Sequence, residues 1–189
     1  MKKLIILSAL FLGIFVQGNA QRNVSIGGGI SGSSLNTAGF LVEAEFEKVY
    51  SEKFSRPRHL DVGFYNDKEG SNVLFTDYHK GYRLTFQNGL FVEQSFGIGI
   101  MLTSYKEYPY YNAENGNIGF FPSGKGWDVL PSVTFGAGYK VEWKNGASGS
   151  IWCRPKVFWK IPFDNPAQPK FALQLGYSHT IKHINNLKK

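Results

Sequence analysis

Apolar and polar residues alternate one by one from Trp127 to Trp143. The odd positions carry Trp, Val, Phe and Tyr, and most of the even positions carry Asp, Ser, Thr, Gly, Lys or Glu. A period of two residues predicts a β-strand, and a strand of this length exceeds the five or six residues that are usual. One face is apolar with a tryptophan at each end, whereas the other face is small and polar. This pattern is typical of a strand that lies between lipid and a polar barrel interior.

The same alternation recurs along the rest of the chain and predicts eight strands, with no helix after the N-terminal segment. The other seven strands are expected over 24–31, 40–47, 60–65, 82–87, 90–103, 150–161 and 171–182.

Two glycine-containing segments predict tight hairpins at one end of these strands. Residues that pair across a hairpin face the same way, so two paired residues are both even-numbered or both odd-numbered when the outward positions of the two strands have the same parity. A turn between such strands must contain an odd number of residues, which predicts three-residue turns at Gln87-Asn88-Gly89 and Lys144-Asn145-Gly146. Each turn places glycine where a left-handed residue is needed. The first turn sets Arg83 directly opposite Glu93, which predicts a cross-strand ion pair.

The longer connections, around 66–72 and 106–126, fall at the other end of the strands. The connection over 51–58 is expected to be longer than the other turns at the short-turn end, where both termini also lie. An all-β, eight-stranded, antiparallel up-and-down transmembrane β-barrel accounts for this arrangement.

Alternation alone does not decide whether the apolar face points outward, because a lipocalin-like barrel has eight strands around an apolar interior. The polar set is rich in residues with small side chains. The apolar set, in contrast, contains the bulky Trp127, Phe135, Tyr139, Trp143 and Trp159. A narrow interior favours the small residues, so the apolar set is expected to face lipid. The glycines of the polar set are Gly63, Gly97, Gly99, Gly136, Gly138 and Gly176.

Residues 1–20 have the features of a secretory signal peptide. Lys2 and Lys3 precede an apolar run over 4–16, and small residues precede a cleavage site after Ala20. The run is shorter than the roughly 20 residues of a transmembrane helix, although a retained anchor is the alternative. Residues 21–189 are then a single outer-membrane barrel domain. Cys153, the only cysteine, has no partner for an internal disulfide.

The formal net charge of +7 is spread along the strands. Contact with acidic lipid headgroups explains it better than binding to nucleic acid. Charged residues of the inward set are expected to pair inside the barrel, since a buried charge is tolerated only when it is paired. This lumen charge network comprises Glu43, Glu45, Arg83, Glu93, Lys140, Glu142, Arg154 and Lys156.

With these features the chain resembles the small eight-stranded outer-membrane β-barrel proteins of Gram-negative bacteria, the OmpA/OmpX-like class of porin-family barrel domains. Proteins of this class carry a sorting pattern in their last strand, and Gln174, Gly176, His179 and Ile181 occupy its polar, glycine and aromatic positions. The resemblance implies a Gram-negative outer membrane as location. It also implies outer-membrane lipid and lipopolysaccharide as partners, and the barrel-assembly machinery during biogenesis.

Candidate catalytic chemistry is sparse. Some barrels of this size hydrolyse lipid A with a His-x-Ser-Asn motif, but His183 is followed here by Ile and two Asn residues. Ser178 and His179 are adjacent on a strand and are expected to point to opposite faces. The four histidines, among them His59 and His79, have no metal-ligand spacing, and each is interpreted as an interfacial or turn residue. No catalytic residue, cofactor or metal is therefore predicted.

The long segment over 106–126 is the best candidate for external contacts, and its ligand is not predicted. Its aromatic residues form a binding surface, or they fold over the barrel mouth or lie in the headgroup belt. The functional hypothesis is a non-enzymatic outer-membrane barrel that serves envelope structure or surface contacts, with a narrow porin-like channel as alternative and a lipid A-modifying enzyme as a further one. The candidate contact residues are Tyr108, Tyr110, Tyr111, Phe120 and Phe121.

Overall fold

The computed structural model describes residues 21–34, 37–66, 71–105, 108–111, 118–121, 123–143, 146–161 and 168–184. The signal peptide expected over 1–20 lies outside these residues and stays a prediction. The strands are β1 Gln21–Ser34, β2 Thr37–Val49, β3 Phe54–Asn66, β4 Asn72–Thr85, β5 Leu90–Tyr105, β6 Tyr108–Tyr111, β7 Ile118–Phe121, β8 Gly124–Glu142, β9 Ser148–Lys160 and β10 Gln168–Ile184.

Eight of these strands close into a barrel in the order β1-β10-β9-β8-β5-β4-β3-β2, and every neighbouring pair is antiparallel. The predicted eight-stranded up-and-down barrel is therefore confirmed. Strands β6 and β7 pair only with each other, between β5 and β8. The first residue of β1 and the last of β10 lie at the same end as the tight turns, as predicted.

Both three-residue hairpins are confirmed. The Phe86 amide bonds to the Leu90 carbonyl at 2.7 Å and the Trp143 amide to the Ala147 carbonyl at 2.8 Å, which leaves three residues in each turn. Gly89 and Gly146 have φ of +87° and +81°, a region that glycine enters without steric cost. The resulting register places Arg83 opposite Glu93.

Strands β3 and β4 begin well before their predicted limits. The expectation of a longer connection over 51–58 is wrong, because β3 begins at Phe54 and the Phe54 amide bonds to the Ser51 carbonyl in a short turn. Similarly, β4 begins at Asn72 and not near residue 82. In both strands the apolar side of the pattern is interrupted by outward-facing cations, namely Arg56, Arg58 and Lys80.

The outer surface of the barrel is apolar. Most of the large hydrophobic side chains at outward positions are exposed, and their exposed fractions range from 39% for Tyr177 to 67% for Phe171. Trp127 and Trp143 mark the two ends of the outward face around β8. Such a surface is stable in lipid and costly in water. Among the described residues, no helix is long and apolar enough to cross a membrane.

The inward glycines give room to large neighbours on the adjacent strand. Gly136 lies under the Glu93 side chain and Gly176 under the Trp152 ring, and in both cases the two residues are register partners. The other four glycines of the predicted polar set are related in the same way to a large partner. These pairs are Gly63 with Phe75, Gly97 with His79, Gly99 with Asp77 and Gly138 with Phe91.

The interior has two parts along the barrel axis. Buried charged residues fill the half that lies toward the tight turns, whereas the half toward the long connections is mainly apolar. We call these ends the turn end and the loop end. The apolar part is formed by Leu41, Val73, Phe75, Met101, Leu130 and Phe158, with Tyr65 and Ala172 packed against it.

Candidate functional site: an ion-pair cluster inside the barrel

Arg83, which points inward from β4, is the most highly connected of the buried charges. Its guanidinium group donates two hydrogen bonds to Glu93 at 2.7 and 2.8 Å, two to Glu45 at 2.7 and 2.9 Å, and one to Glu47 at 3.1 Å. The guanidinium plane lies 4.4 Å from the centre of the Phe91 ring. Arg83 is only 1% exposed, so these protein groups replace its hydration.

Arg154, on β9, forms a second centre that shares a carboxylate with the first. Glu93 accepts from Arg83 through Oε2 and from Arg154 Nε through Oε1, the latter at 2.5 Å. Arg154 also bonds to Glu43, and its guanidinium lies 4.1 Å from the centre of the Trp152 ring. Glu93 therefore joins two arginines from different strands into one network.

Lys156 and Lys140 extend the cluster toward the two barrel ends. Lys156 donates to Asp77 at 2.5 Å, on the loop-end side. Lys140 lies 3.4 Å from Glu47, which also accepts from Ser55 at 2.6 Å near the turn end. Seven of the eight residues of the predicted lumen network thus lie in this cluster.

The placement of Glu142 in the lumen network is wrong. It is exposed and makes no ion pair among the described residues, because it is the last residue of β8 and lies at the rim. At the rim water solvates the carboxylate, so no buried partner is needed.

His59 and His79 were expected in turns or at the interface, and this interpretation is wrong. Both are buried inside the barrel, at 2% and 3% exposure, and they are register partners on β3 and β4. His59 Nδ1 lies 3.5 Å from a carboxylate oxygen of Glu43 and of Glu45. Odd-numbered positions face inward on both strands, as Asp61 does on β3, so the alternation would have placed both histidines inside the barrel. They were missed because the predicted strands began only after them.

Carboxylates outnumber basic side chains in the described interior of this region. Six carboxylates face four cations, and the two histidines lie among them. The carboxylates are Glu43, Glu45, Glu47, Asp61, Asp77 and Glu93, and the cations are Arg83, Lys140, Arg154 and Lys156.

Glu43, Glu45 and His59 bring potential metal-ligand atoms within 4.8 Å of one another. Both glutamates already accept hydrogen bonds from a guanidinium group, Glu45 from Arg83 and Glu43 from Arg154. Because both carboxylates are already engaged by arginines, the three residues are described as part of the ion-pair cluster.

A recess of about 340 Å³, including the part open to solvent, lies on the loop-end side of the ion pair between Lys156 and Asp77. Tyr65, Phe75 and Phe158 line its walls. Asp77 and Lys156 of the ion-pair cluster are also among its lining residues.

The segment between β5 and β8 contains a two-stranded ribbon, which was not predicted. Strand β6 pairs with β7, and each of the four residue pairs contains an aromatic residue. The side chains of the five candidate contact residues lie outside the description, so their role in binding stays a prediction. Their backbones pair as Tyr108 with Phe121, Pro109 with Phe120, Tyr110 with Gly119 and Tyr111 with Ile118.

Ser178 and His179 point to opposite faces of β10, as predicted. The Ser178 hydroxyl is buried and lies 2.8 Å from the Ser150 hydroxyl, whereas His179 is exposed on the outer surface. The ring nitrogens of His59 and His79 have no hydrogen-bond partner within the described part of the chain. A serine nucleophile needs a base within hydrogen-bond reach, and these residues do not form such a pair.

Comparison with known proteins identifies the fold. No protein-family model and no curated protein matches the sequence. Among solved structures, Ail, the attachment invasion locus protein of Yersinia pestis, has 12% sequence identity and a TM-score of 0.50, and the match covers 86% of this chain and 99% of Ail. Neisserial surface protein A has 12% identity and a TM-score of 0.48 over 87% of this chain and 97% of that protein. The chain has the fold of small eight-stranded outer-membrane barrels.

Proposed function

We propose that this protein is an integral barrel of a Gram-negative outer membrane that has no enzymatic activity. It contributes to envelope structure or to surface contacts through its loop end. The observation that carries the proposal is the separation of the two faces: the outward positions are apolar and exposed, and the ion pairs are enclosed. A protein with this surface is stable only when lipid covers the outer face.

The tight turns are placed on the periplasmic side in this proposal and the loop end outside the cell, which is the usual arrangement in such barrels. Lipopolysaccharide then surrounds the loop end, and the ribbon of β6 and β7 is the segment available for contacts beyond the membrane. During biogenesis the chain is a substrate of the barrel-assembly machinery. The ligand of the ribbon is left open.

The membrane assignment is tested with Cys153, the only cysteine, which lies at an outward position in the middle of β9. After refolding into lipid vesicles, a membrane-impermeant maleimide should leave Cys153 unmodified, whereas a lipid-soluble maleimide should modify it. Both reagents should react after unfolding in urea. Rapid reaction of the folded protein with the impermeant reagent would contradict the assignment, as would identical gel migration of boiled and unboiled protein.

The cluster also argues against conduction, because Arg83, Glu93 and Arg154 are hydrogen-bonded to one another inside the barrel and are almost completely buried. An eight-stranded barrel has little interior space beyond its side chains. In planar lipid bilayers the purified protein should produce no step-like ion current. A current that disappears on changing Arg83 and Glu93 would instead favour the channel. Lipid A of unchanged mass on overexpression is expected for a protein without lipid A-modifying activity.

A further inference from the structure

Five basic side chains form a continuous patch on the outer surface at the turn end of β1 to β4. Arg22 pairs in register with Lys48, and Lys48 with Arg56 on the next strand. Slightly further toward the middle of the barrel, Arg58 pairs with Lys80. We call these five residues the basic patch.

Each of these register pairs places two positive charges directly opposite each other, an arrangement that is destabilising in a sheet unless an anion lies between them. Arg58 and Lys80 are exposed and make no ion pair with any described residue. All the acidic residues of β1 to β5 are buried inside the barrel. On the strands that carry the patch, no outward-facing position among the described residues holds an acidic side chain. The exposed Glu52 lies nearby in the turn between β2 and β3 and makes no ion pair with any described residue.

Two members of the patch are arranged around aromatic rings. The Arg56 guanidinium lies 5.1 Å from the centre of the Tyr82 ring, and the Lys48 ammonium lies 4.8 Å from that of Tyr50. Arg56 Nε is shielded from solvent and has no hydrogen-bond partner in the described part of the protein. Although burial raises the pKa of the Tyr50 hydroxyl, hydrogen bonding from Arg56 and the charge of Lys48 lower it below its usual value overall.

Arg58 and Lys80, which have no acidic partner in the described part of the chain, lie among apolar residues of the outer surface. Lys80 lies between Tyr78 and Tyr82 on the outer face of β4, and Arg58 is next to Phe46 and Leu60. At about 3.3 Å per residue and a tilt of about 40°, the two cations lie roughly 10–12 Å from the turn end along the barrel axis. They are thus within the apolar belt, where an unpaired cation on the lipid face is unfavourable.

We propose that the basic patch binds the phosphate group of an anionic phospholipid in the leaflet at the turn end. The phosphate lies on the turn-end side of Arg58 and Lys80, near Lys48 and Arg56, and the long side chains of Arg58 and Lys80 extend toward it from the apolar belt. The acyl chains pack on the apolar residues that flank the patch, among them Phe46 and Leu60. A lipid is favoured over a dissolved anion because Arg58 and Lys80 are bordered by lipid-facing residues on both sides. The inference rests on the proposed membrane location.

The proposal is tested by native mass spectrometry of the full-length protein, refolded in detergent and titrated with phosphatidylglycerol or with phosphatidylcholine. The protein should retain phosphatidylglycerol at much lower lipid concentration. The double variant Arg58→Gln/Lys80→Gln should lose about thirtyfold in affinity for phosphatidylglycerol and change little toward phosphatidylcholine. The matched control Lys125→Gln/Lys170→Gln removes two exposed positive charges at the loop end and should bind both lipids like the unmodified protein.

Equal binding of the two lipids, or an unchanged affinity in the Arg58→Gln/Lys80→Gln variant, would overturn the proposal. So would complete displacement of the lipid by dissolved inorganic phosphate, since the site would then recognise a free anion. All variants are first checked for heat-modifiable migration and for protection of Cys153 in vesicles. If the unmodified protein fails these checks, the proposed membrane location is contradicted, whereas a protein that passes them without lipid preference contradicts only the lipid site.

Discussion

Replacing Arg83 by methionine tests whether the ion-pair cluster holds the barrel together. The substitution removes five hydrogen bonds and leaves the carboxylates of Glu45 and Glu47 without their main partner, while Glu93 keeps only Arg154. Removing one partner of a buried ion pair typically costs about 3–5 kcal/mol, because the remaining charge stays desolvated. The free energy of unfolding should fall by that amount.

The measurement is reversible urea unfolding of the protein in lipid vesicles, followed by tryptophan fluorescence. The control is Lys125→Met, which removes an exposed positive charge that belongs neither to the cluster nor to the basic patch and should alter the free energy of unfolding by less than about 0.5 kcal/mol. Arg83→Lys should be intermediate, since an ammonium group cannot make the paired hydrogen bonds of a guanidinium group.

A second variant distinguishes the cost of leaving buried carboxylates unpaired from the cost of lost packing. Adding Glu45→Gln to Arg83→Met removes one of the unpaired carboxylates, so the double variant should be more stable than Arg83→Met alone. The reasoning would be refuted if Arg83→Met unfolded at the same urea concentration as Lys125→Met. It would also be refuted if Glu45→Gln made the Arg83→Met protein less stable still.

Three further predictions concern the glycines and the electrostatics of the cluster. An added Cβ at Gly136 would lie 2.6 Å from Glu93 Cγ, whereas one at Gly124 would meet no atom within 4 Å. Gly136→Ala should therefore cost about 1–3 kcal/mol of unfolding free energy and Gly124→Ala almost none, and equal stabilities would contradict the packing. Gly89→Val should lower the urea midpoint more than Gly89→Asn, because asparagine tolerates positive φ and valine does not; the reverse order would exclude the assigned turn. The loss caused by Arg83→Met should persist in about 1 M salt, which screens exposed charges but not buried ones, and a loss that salt abolishes would place the cluster in contact with water.

The sequence predicts the architecture well because lipid and a narrow interior impose opposite demands on alternate residues. Two glycine turns then set the hairpin registers, and Arg83 is found opposite Glu93 as those registers require. The prediction fails where charges stand on the lipid face. Arg58 and Lys80 interrupt the apolar set, so β3 and β4 are predicted too short and the inward His59 and His79 are missed.

The contacts between the side chains of the cluster could be predicted less well than the fold. Parity shows that Glu43 and Arg154 face inward, but their contact depends on barrel closure between residues 111 positions apart. The pairing of inward glycines with large register partners is the signal that could have located such contacts, as for Gly136 beside Glu93. The ribbon of β6 and β7 was missed because its strands have only four residues each.

The distribution of the cluster over the strands has a consequence for how the barrel forms. Strand β2 carries three inward carboxylates and no inward cation among its described side chains, and their arginine partners come from β4 and β9. If hairpins entered the membrane one after another from the N-terminus, β2 would carry three uncompensated charges into lipid until β4 arrived, and Glu43 would lack its arginine partner until β9 arrived, at high cost. We therefore expect the strands to gather outside the hydrocarbon layer and to cross it together, so that folding and insertion are a single cooperative event.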